Sequence, residues 1–329
     1  MRTSIHPALY SLALGLLAPV VTGLSGQALA QTYPAKPLRV IVGFTPGGGV
    51  DINARLLAPK LSEALSQQVI VENKPGAGTN IATEFVARSA PDGYTILFAS
   101  PGLAINMSLY KKVNFDAVRD FAPVSVFSVS PNIMAVNAAV AARNLGEFLA
   151  LARAQPGKLN FSSAGSGTTQ HLAGELLNTM AKIRVAHVPY KGSAPSLTAL
   201  ISGEVQMSFA NIPSISQHVK SGKVRALAMT GSRRSDQLPD VPTLRESGIP
   251  MEVEVWYGVL VPAATPRPIV QRLNAEIVKI AQSPDIGKRL VELGAEPRGS
   301  SPEEFAALIK REVTTWAEVV KASGATADE

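Results

Sequence analysis

The chain has 329 residues, 31 basic and 25 acidic, a formal net charge of +6, and no cysteine. Without thiols, disulfides, a cysteine nucleophile and thiolate metal sites are excluded. The charge surplus is too weak and scattered for nucleic acid, which asks for Lys and Arg clustered on one face between aromatics; a mild positive field still favours an anionic ligand.

Residues 1–30 read as a secretory signal. Arg2 sits in a short cationic segment, an apolar run extends from Ala8 to Leu24, and Ala28-Leu29-Ala30 forms the small-x-small pattern for cleavage after Ala30. The rival reading is a permanent anchor, but Gly15, Pro19 and Gly23 break a stretch barely long enough to span. No cysteine precedes the cut to carry a lipid. Residues 31–329 are then expected to be a soluble periplasmic protein, long enough for two domains of about 150 residues each and for a core that needs no disulfides.

Strand and helix patterns alternate from there on. Leu38–Phe44 is a β-branched apolar run of the kind found in buried parallel strands. A glycine-rich loop follows, and Asp51 is expected to start a helix carrying Ile52, Leu56, Leu57, Leu61 and Leu65. Val69–Glu72 and Tyr94–Ala99 read as further strands, with a helix capped by Thr79 between them. The middle of the chain continues with strands at Asn132–Val136, Asn160–Ser162, Ala186–Val188, Val205–Phe209 and Arg225–Met229. Helices are expected at Leu145–Gln155, Thr169–Lys182 and Ala194–Ile201, and three more, Ile269–Gln282, Pro284–Leu293 and Pro302–Ser323, form the tail. Such alternation specifies an α/β fold with a parallel-rich sheet.

Three strand-to-helix junctions carry the chemistry. Thr45-Pro46-Gly47-Gly48-Gly49-Val50-Asp51 lets the backbone turn tightly and aim N–H groups outward with no side chain in the way. The adjoining helix N-terminus adds its unsatisfied donors and partial positive charge, making an anion cradle. Ser162-Ser163-Ala164-Gly165-Ser166-Gly167-Thr168-Thr169 is a second small, hydroxyl-rich junction, and Tyr190-Lys191-Gly192-Ser193-Ala194-Pro195 a third. Ser100-Pro101-Gly102 and Ala210-Asn211-Ile212-Pro213 are weaker companions. All lie at the carboxyl ends of strands, where open α/β sheets bind ligands.

Competing chemistries fail on detail. The first loop lacks the Gly-Lys-Ser/Thr ending of a P-loop, and Gly76-Ala77-Gly78 lacks the dinucleotide spacing. Ser166 has no leading glycine for a nucleophile elbow, and Asp51 has no evident carboxylate partner for glycoside chemistry. No histidines stand at metal-binding spacing, so no catalytic residue, metal or cofactor is expected.

The chain resembles the Bug family, the extracytoplasmic solute-binding receptors of tripartite tricarboxylate transporters. The likeness rests on Pro46-Gly47-Gly48 with Asp51, Glu72-Asn73-Lys74-Pro75-Gly76-Ala77-Gly78, Ala90-Pro91-Asp92-Gly93-Tyr94 and Gly165-Ser166-Gly167-Thr168. It continues through His171-Leu172, Val188-Pro189-Tyr190-Lys191-Gly192, Asp240-Val241-Pro242-Thr243, Trp256-Tyr257-Gly258 and Pro262-Ala263-Ala264-Thr265-Pro266. The resemblance implies an α/β, two-lobed periplasmic-binding-protein fold of type II-like organisation, with the ligand cleft between the lobes. Lobe one would hold residues 31–130 plus 253–329 and lobe two 131–252, with crossings at Pro131 and around Trp256. It further implies a monomer that captures a small organic acid for membrane subunits of a tripartite tricarboxylate transporter. The alternative is a receptor that feeds a membrane sensor. The expected ligand contacts are Thr45, Gly47, Gly48, Asp51, Ser100, Ser163, Ser166, Thr168, Thr169, Tyr190 and Asn211, with Lys191 and Trp256 weighed beside them. Relatives often carry an acid where this chain has Ala210, so its absence is expected to disfavour an amino-acid ligand, whose ammonium group wants acceptors.

Overall fold

Period-two patterning on both faces makes a buried strand, and β1 (Leu38–Val42) shows it. Leu38, Val40 and Val42 pack into one apolar cluster while Ile41 packs into another on the opposite face. The computed structural model describes Met1 and residues 33–327, so the leader read from residues 1–30 lies, beyond Met1, outside the described residues. After β1 come α1 (Gly49–Leu65), β2 (Val69–Asn73), α2 (Asn80–Ala87), β3 (Thr95–Ala99), α3 (Gly102–Leu109) and β4 (Phe121–Asn137). The chain continues through α4 (Leu145–Ala154), β5 (Leu159–Ser163), α5 (Thr169–Ala181), β6 (Val185–Pro189), α6 (Ser193–Ser202), β7 (Met207–Asn211), α7 (Ile212–Lys220) and β8 (Val224–Met229). It closes with β9 (Glu254–Pro262), α8 (Arg267–Ala281), α9 (Pro284–Glu292), the two-residue β10 (Glu296–Pro297) and α10 (Pro302–Ser323).

The strands run in the order β2-β1-β3-β9-β4-β7-β5-β6, in two halves that share β4. In the first half β1 pairs parallel with β2 and β3, and β9 runs antiparallel between β3 and the Phe121–Pro131 stretch of β4. From Asn132 onward β4 changes partners, pairing antiparallel with β7 and β8, while β5 lies parallel to β6 and β7. Helices cover both faces of each half. Leu57, Leu61, Leu273 and Ile277 cover one face of the first, Val86, Phe305 and Ile309 the other. Phe148, Leu172 and Leu177 cover one face of the second, Leu200, Ile212 and Ile215 the other.

The sequence expected β4 only from Asn132 to Val136. Its first part contains Pro123, Pro131 and three serines, a composition that reads as loop. Those serines are fully buried and hydrogen-bonded: Ser125 Oγ donates to Ser300 O (2.9 Å), Ser128 Oγ to Asn53 Oδ1 (2.7 Å) and Ser130 Oγ to Gly294 O (3.1 Å). Tertiary partners thus replace the missing local signal. Helices α3 and α7 were also not anticipated, because the strand-to-helix junctions before them are so short. Asp51 does not start its helix; Gly48 caps it and Asp51 sits in the first turn. Thr79 occupies the cap position of α2 with φ 86° and makes no side-chain cap bond. The tail, assigned whole to the first lobe, divides along α10. Phe305 and Ile309 pack with the first half, whereas Trp316, Val319 and Val320 pack with the second.

Candidate functional site

Strands β1, β3, β5, β6 and β7 end at one edge, and the helices that follow them begin there. Five of these helix N-termini meet around a cavity of about 20 Å³. Gly48 and Gly49 come from α1, Ser100 from the turn into α3, Thr168 and Thr169 from α5, Ser193 from α6, and Asn211 from the cap of α7. Phe44, Val50, Ala164, Gln170 and Val255 complete the wall, and no lining residue is charged. Helix N-termini leave backbone N–H groups unpaired and carry partial positive charge, so the cavity suits an anion although no lysine or arginine touches it.

A chain of buried amides sets the polar wall. Ala164 N–H donates to Gln170 Oε1 (2.7 Å), and Gln170 Nε2 donates to Asn211 Oδ1 (3.2 Å). Asn211 Nδ2 donates to Asn132 Oδ1 (2.7 Å), and Asn132 Nδ2 to Thr169 Oγ1 (3.2 Å). Thr168 caps α5 by accepting from His171 N–H (3.2 Å) and donates to Gly165 O (2.8 Å). Behind this loop, Ser163 Oγ accepts from Gly165 N–H (3.1 Å) and lies 2.7 Å from His187 Nε2. The His187 ring stacks on His171 with centroids 3.9 Å apart. Burial, and then the neighbouring His171, push His187 down to about 3, so His187 is neutral at ordinary pH. Gly167 needs its φ of 82°, and a Cβ there would overlap the Asn106 side chain of α3.

Asp51 is 2 % exposed and faces its own loop. Its carboxylate accepts from Gly47 N–H (3.0 Å), Arg55 Nε (3.0 Å) and Asn73 Nδ2 (2.8 Å). Burial works against the charged form, but the Arg55, Gly47 and Asn73 hydrogen bonds outweigh it and hold the carboxyl below its usual range. A second compartment of about 290 Å³ adjoins the first; Phe44 and Ala164 line both, and Ser166, Tyr190 and Lys191 line the outer one.

Among the residues expected from sequence, Gly48, Ser100, Thr168, Thr169 and Asn211 line the inner cavity, and Ser166 and Tyr190 the outer compartment. Thr45, Gly47, Asp51 and Ser163 line neither; Gly47, Asp51 and Ser163 brace the loops from behind. Trp256 is core: it packs edge-on against Phe305, and its Nε1 donates to Glu312 (2.7 Å). Ala210 packs with Ile133 and Ile215 rather than lining the cavity, so its identity does not report on the ligand. Sequence reasoning missed Phe44, Gln170 and Ser193, and Ser193, at an α6 start marked by Pro195, was within its reach. The Tyr257 hydroxyl was also missed; it is fully buried against Gly49 and has no hydrogen-bond partner among the described residues. Among the described residues no group of three His, Asp or Glu could hold a metal, and no helix is long and apolar enough to cross a membrane.

Helix N-termini from both halves converging on one uncharged cavity define a solute-binding protein of the two-lobed α/β type. The chain belongs to the tripartite tricarboxylate transporter family of receptors (TctC), whose pattern it matches over residues 53–325. It is 41% identical over 310 residues to a UPF0065 protein in the tcbD-tcbE intergenic region of Pseudomonas sp. strain P51, covering 90% of this chain and 92% of that one. Among solved structures it is similar to R. palustris Rpa4515 with adipate (TM-score 0.87, 34% identity, 90% of this chain and 100% of that one). It is equally similar to the periplasmic binding protein BugD (TM-score 0.86, 34% identity, 90% and 100%). The Bug resemblance and the two-lobed fold read from the sequence therefore hold, and these are binding proteins rather than enzymes.

Proposed function

We propose that this protein captures a small organic anion in the periplasm by its carboxylate and presents it to the membrane subunits of a tripartite tricarboxylate-type transporter. The observation that carries the reading is the convergence of five helix N-termini on a cavity with no charged side chain in its wall. Backbone donors and hydroxyls bind a carboxylate without a buried counter-charge to desolvate. No acid lines the cavity, and both Asp51 oxygens are already engaged, so an amino acid's ammonium group finds no carboxylate partner there. A plain carboxylate follows, in keeping with the relative solved with adipate.

In this reading the chain is a monomer whose lobes divide at Pro131, where β4 changes partners, and near Val253, with α10 as a third link. Hinge rotation about these crossings would close the lobes on the ligand. Calorimetry and thermal unfolding against di- and tricarboxylates, aromatic acids, amino acids and neutral or cationic controls test the reading. A carboxylate at about 100 times its Kd should stabilise the fold by about 2.7 kcal/mol. If only neutral or cationic compounds bind, the reading is wrong. Retention of the membrane subunits by the ligand-loaded protein tests the transporter assignment.

A further inference from the structure

The two halves touch at two points outside both compartments. Gly192 of the second half, one residue before the cavity-lining Ser193, lies against Thr45 of the first, and a Cβ on Gly192 would overlap Thr45 Oγ1. Gly167, one residue before the cavity-lining Thr168, lies in the same way against Asn106 Oδ1. Asn106 is tied to the first half through its Nδ2, which donates to Gly78 O (2.7 Å) and Asn80 Oδ1 (2.6 Å). None of these four residues lines either compartment. Thr45 Oγ1 and Asn106 Oδ1 are buried, and neither has a hydrogen-bond partner among the described residues. Each is sealed by the bare Cα of a glycine in the opposite half. A buried polar group left unpaired costs about 1–3 kcal/mol, and that cost disappears when the halves part and water reaches the group. The apolar side of α3 pulls the other way, since Ile105 and Leu109 pack in the second half's cluster.

We propose that Thr45, seconded by Asn106, is a positioning residue that sets ligand affinity without touching the ligand: its unpaired hydroxyl, pressed on Gly192, disfavours the closed arrangement until a ligand offsets it. This rests on the hinge closure read above and names the residues that bias it. A protein whose binding-competent arrangement is only fractionally populated binds with its intrinsic affinity reduced by that fraction. Relieving the unpaired oxygen therefore tightens binding while every contact to the ligand stays as it was.

Thr45→Val keeps the β-branched shape and removes the hydroxyl. Calorimetry with adipate and hexanoate, and small-angle X-ray scattering without ligand, compare it with the wild type. Thr45→Val should bind whichever acid the wild type takes up about fivefold or more tightly, and its ligand-free radius of gyration should be the smaller. Weaker binding would make the hydroxyl a ligand contact and overturn the proposal, as would an unchanged Kd. Gly192→Ala should weaken binding about tenfold or more in the wild type and much less in a Thr45→Ala background, where the overlap is gone. Equal losses in both backgrounds would assign the effect to the φ of 135° at Gly192 and overturn the role of the contact. If neither acid binds the wild type, the carboxylate reading fails for both, and the ligand-free scattering still decides this one: equal radii for wild type and Thr45→Val overturn it.

Discussion

The loop between β1 and α1 and the loop between β5 and α5 face the same cavity and are braced by opposite means. The first is tied from behind by charge: buried Asp51 gathers Gly47, Arg55 and Asn73. The second is tied without a carboxylate, by Ser163 against His187, which stacks on His171, and by Gln170 against Ala164 and Asn211. In both, the cavity-facing surface is backbone and small polar side chains. A site that offers bare N–H groups to an anion can tolerate a carboxylate only when it points away and is neutralised, as Arg55 does for Asp51. The second loop reaches the same end by keeping His187 uncharged.

Altering the cavity face should have the largest effect. Gly48 has φ −82° and ψ 167°, backbone that any residue adopts, and a Cβ there would lie 3.3 Å from Ser193 Oγ. Gly48→Val should weaken carboxylate binding by about 100-fold in calorimetry with little change in Tm, since it fills the cavity without straining the chain. Unchanged affinity would remove the first loop from the site.

Altering the brace of the first loop comes next. Asp51→Ala should lower stability by about 2–3 kcal/mol in urea unfolding, because it strands Gly47 N–H and the Arg55 and Asn73 donors. Because the folded carboxyl lies below its usual range, the Asp51 contribution is fully present above the unfolded value near 3.8. It is lost as pH falls through the folded one.

The second brace titrates elsewhere. His187 is held near 3 in the folded state against 6.5 unfolded, so between those values the unfolded chain binds more protons and acidification destabilises. The cost is at most about 1.4 kcal/mol per pH unit. His187→Gln should flatten the stability–pH curve between 6.5 and 4, whereas Asp51 variants should leave that window unchanged. If His187→Gln changes nothing there, the two loops are not braced as differently as the geometry indicates.

Glu312 on α10, outside both loops, works in the opposite sense within the same window. Burial lifts its carboxyl to about 7, against the opposing pull of Trp256, Trp316 and Arg311. The folded state therefore holds the extra proton, and stability falls as pH rises from 4.5 to 7. Glu312→Gln should remove this falling slope, worth about 1–2 kcal/mol, and leave the His187 slope unopposed. It is the smallest of these effects and the control that lets the loops be compared.

Much of this was legible in the residues. Apolar runs with β-branched residues mark β1 and β3, because a strand covered on both faces is apolar along most of its length. The glycine- and serine-rich junctions mark the site because exposed N–H groups need small residues around them. Local pattern thus determined the α/β class, and it is the source of the cleft edge and anion preference proposed above. The first part of β4 was illegible, since its prolines and serines are strand-compatible only through bulges in the pairing with β9 and bonds to Asn53, Gly294 and Ser300. Only the tertiary structure decided that Asp51 is a brace, that Ala210 faces the core, that α10 packs on both halves and that Lys191 overlooks an outer compartment. The physical reason is common to all four: what a side chain does at a strand end or helix start depends on the direction it points. That direction is set by neighbours up to hundreds of residues away in the chain.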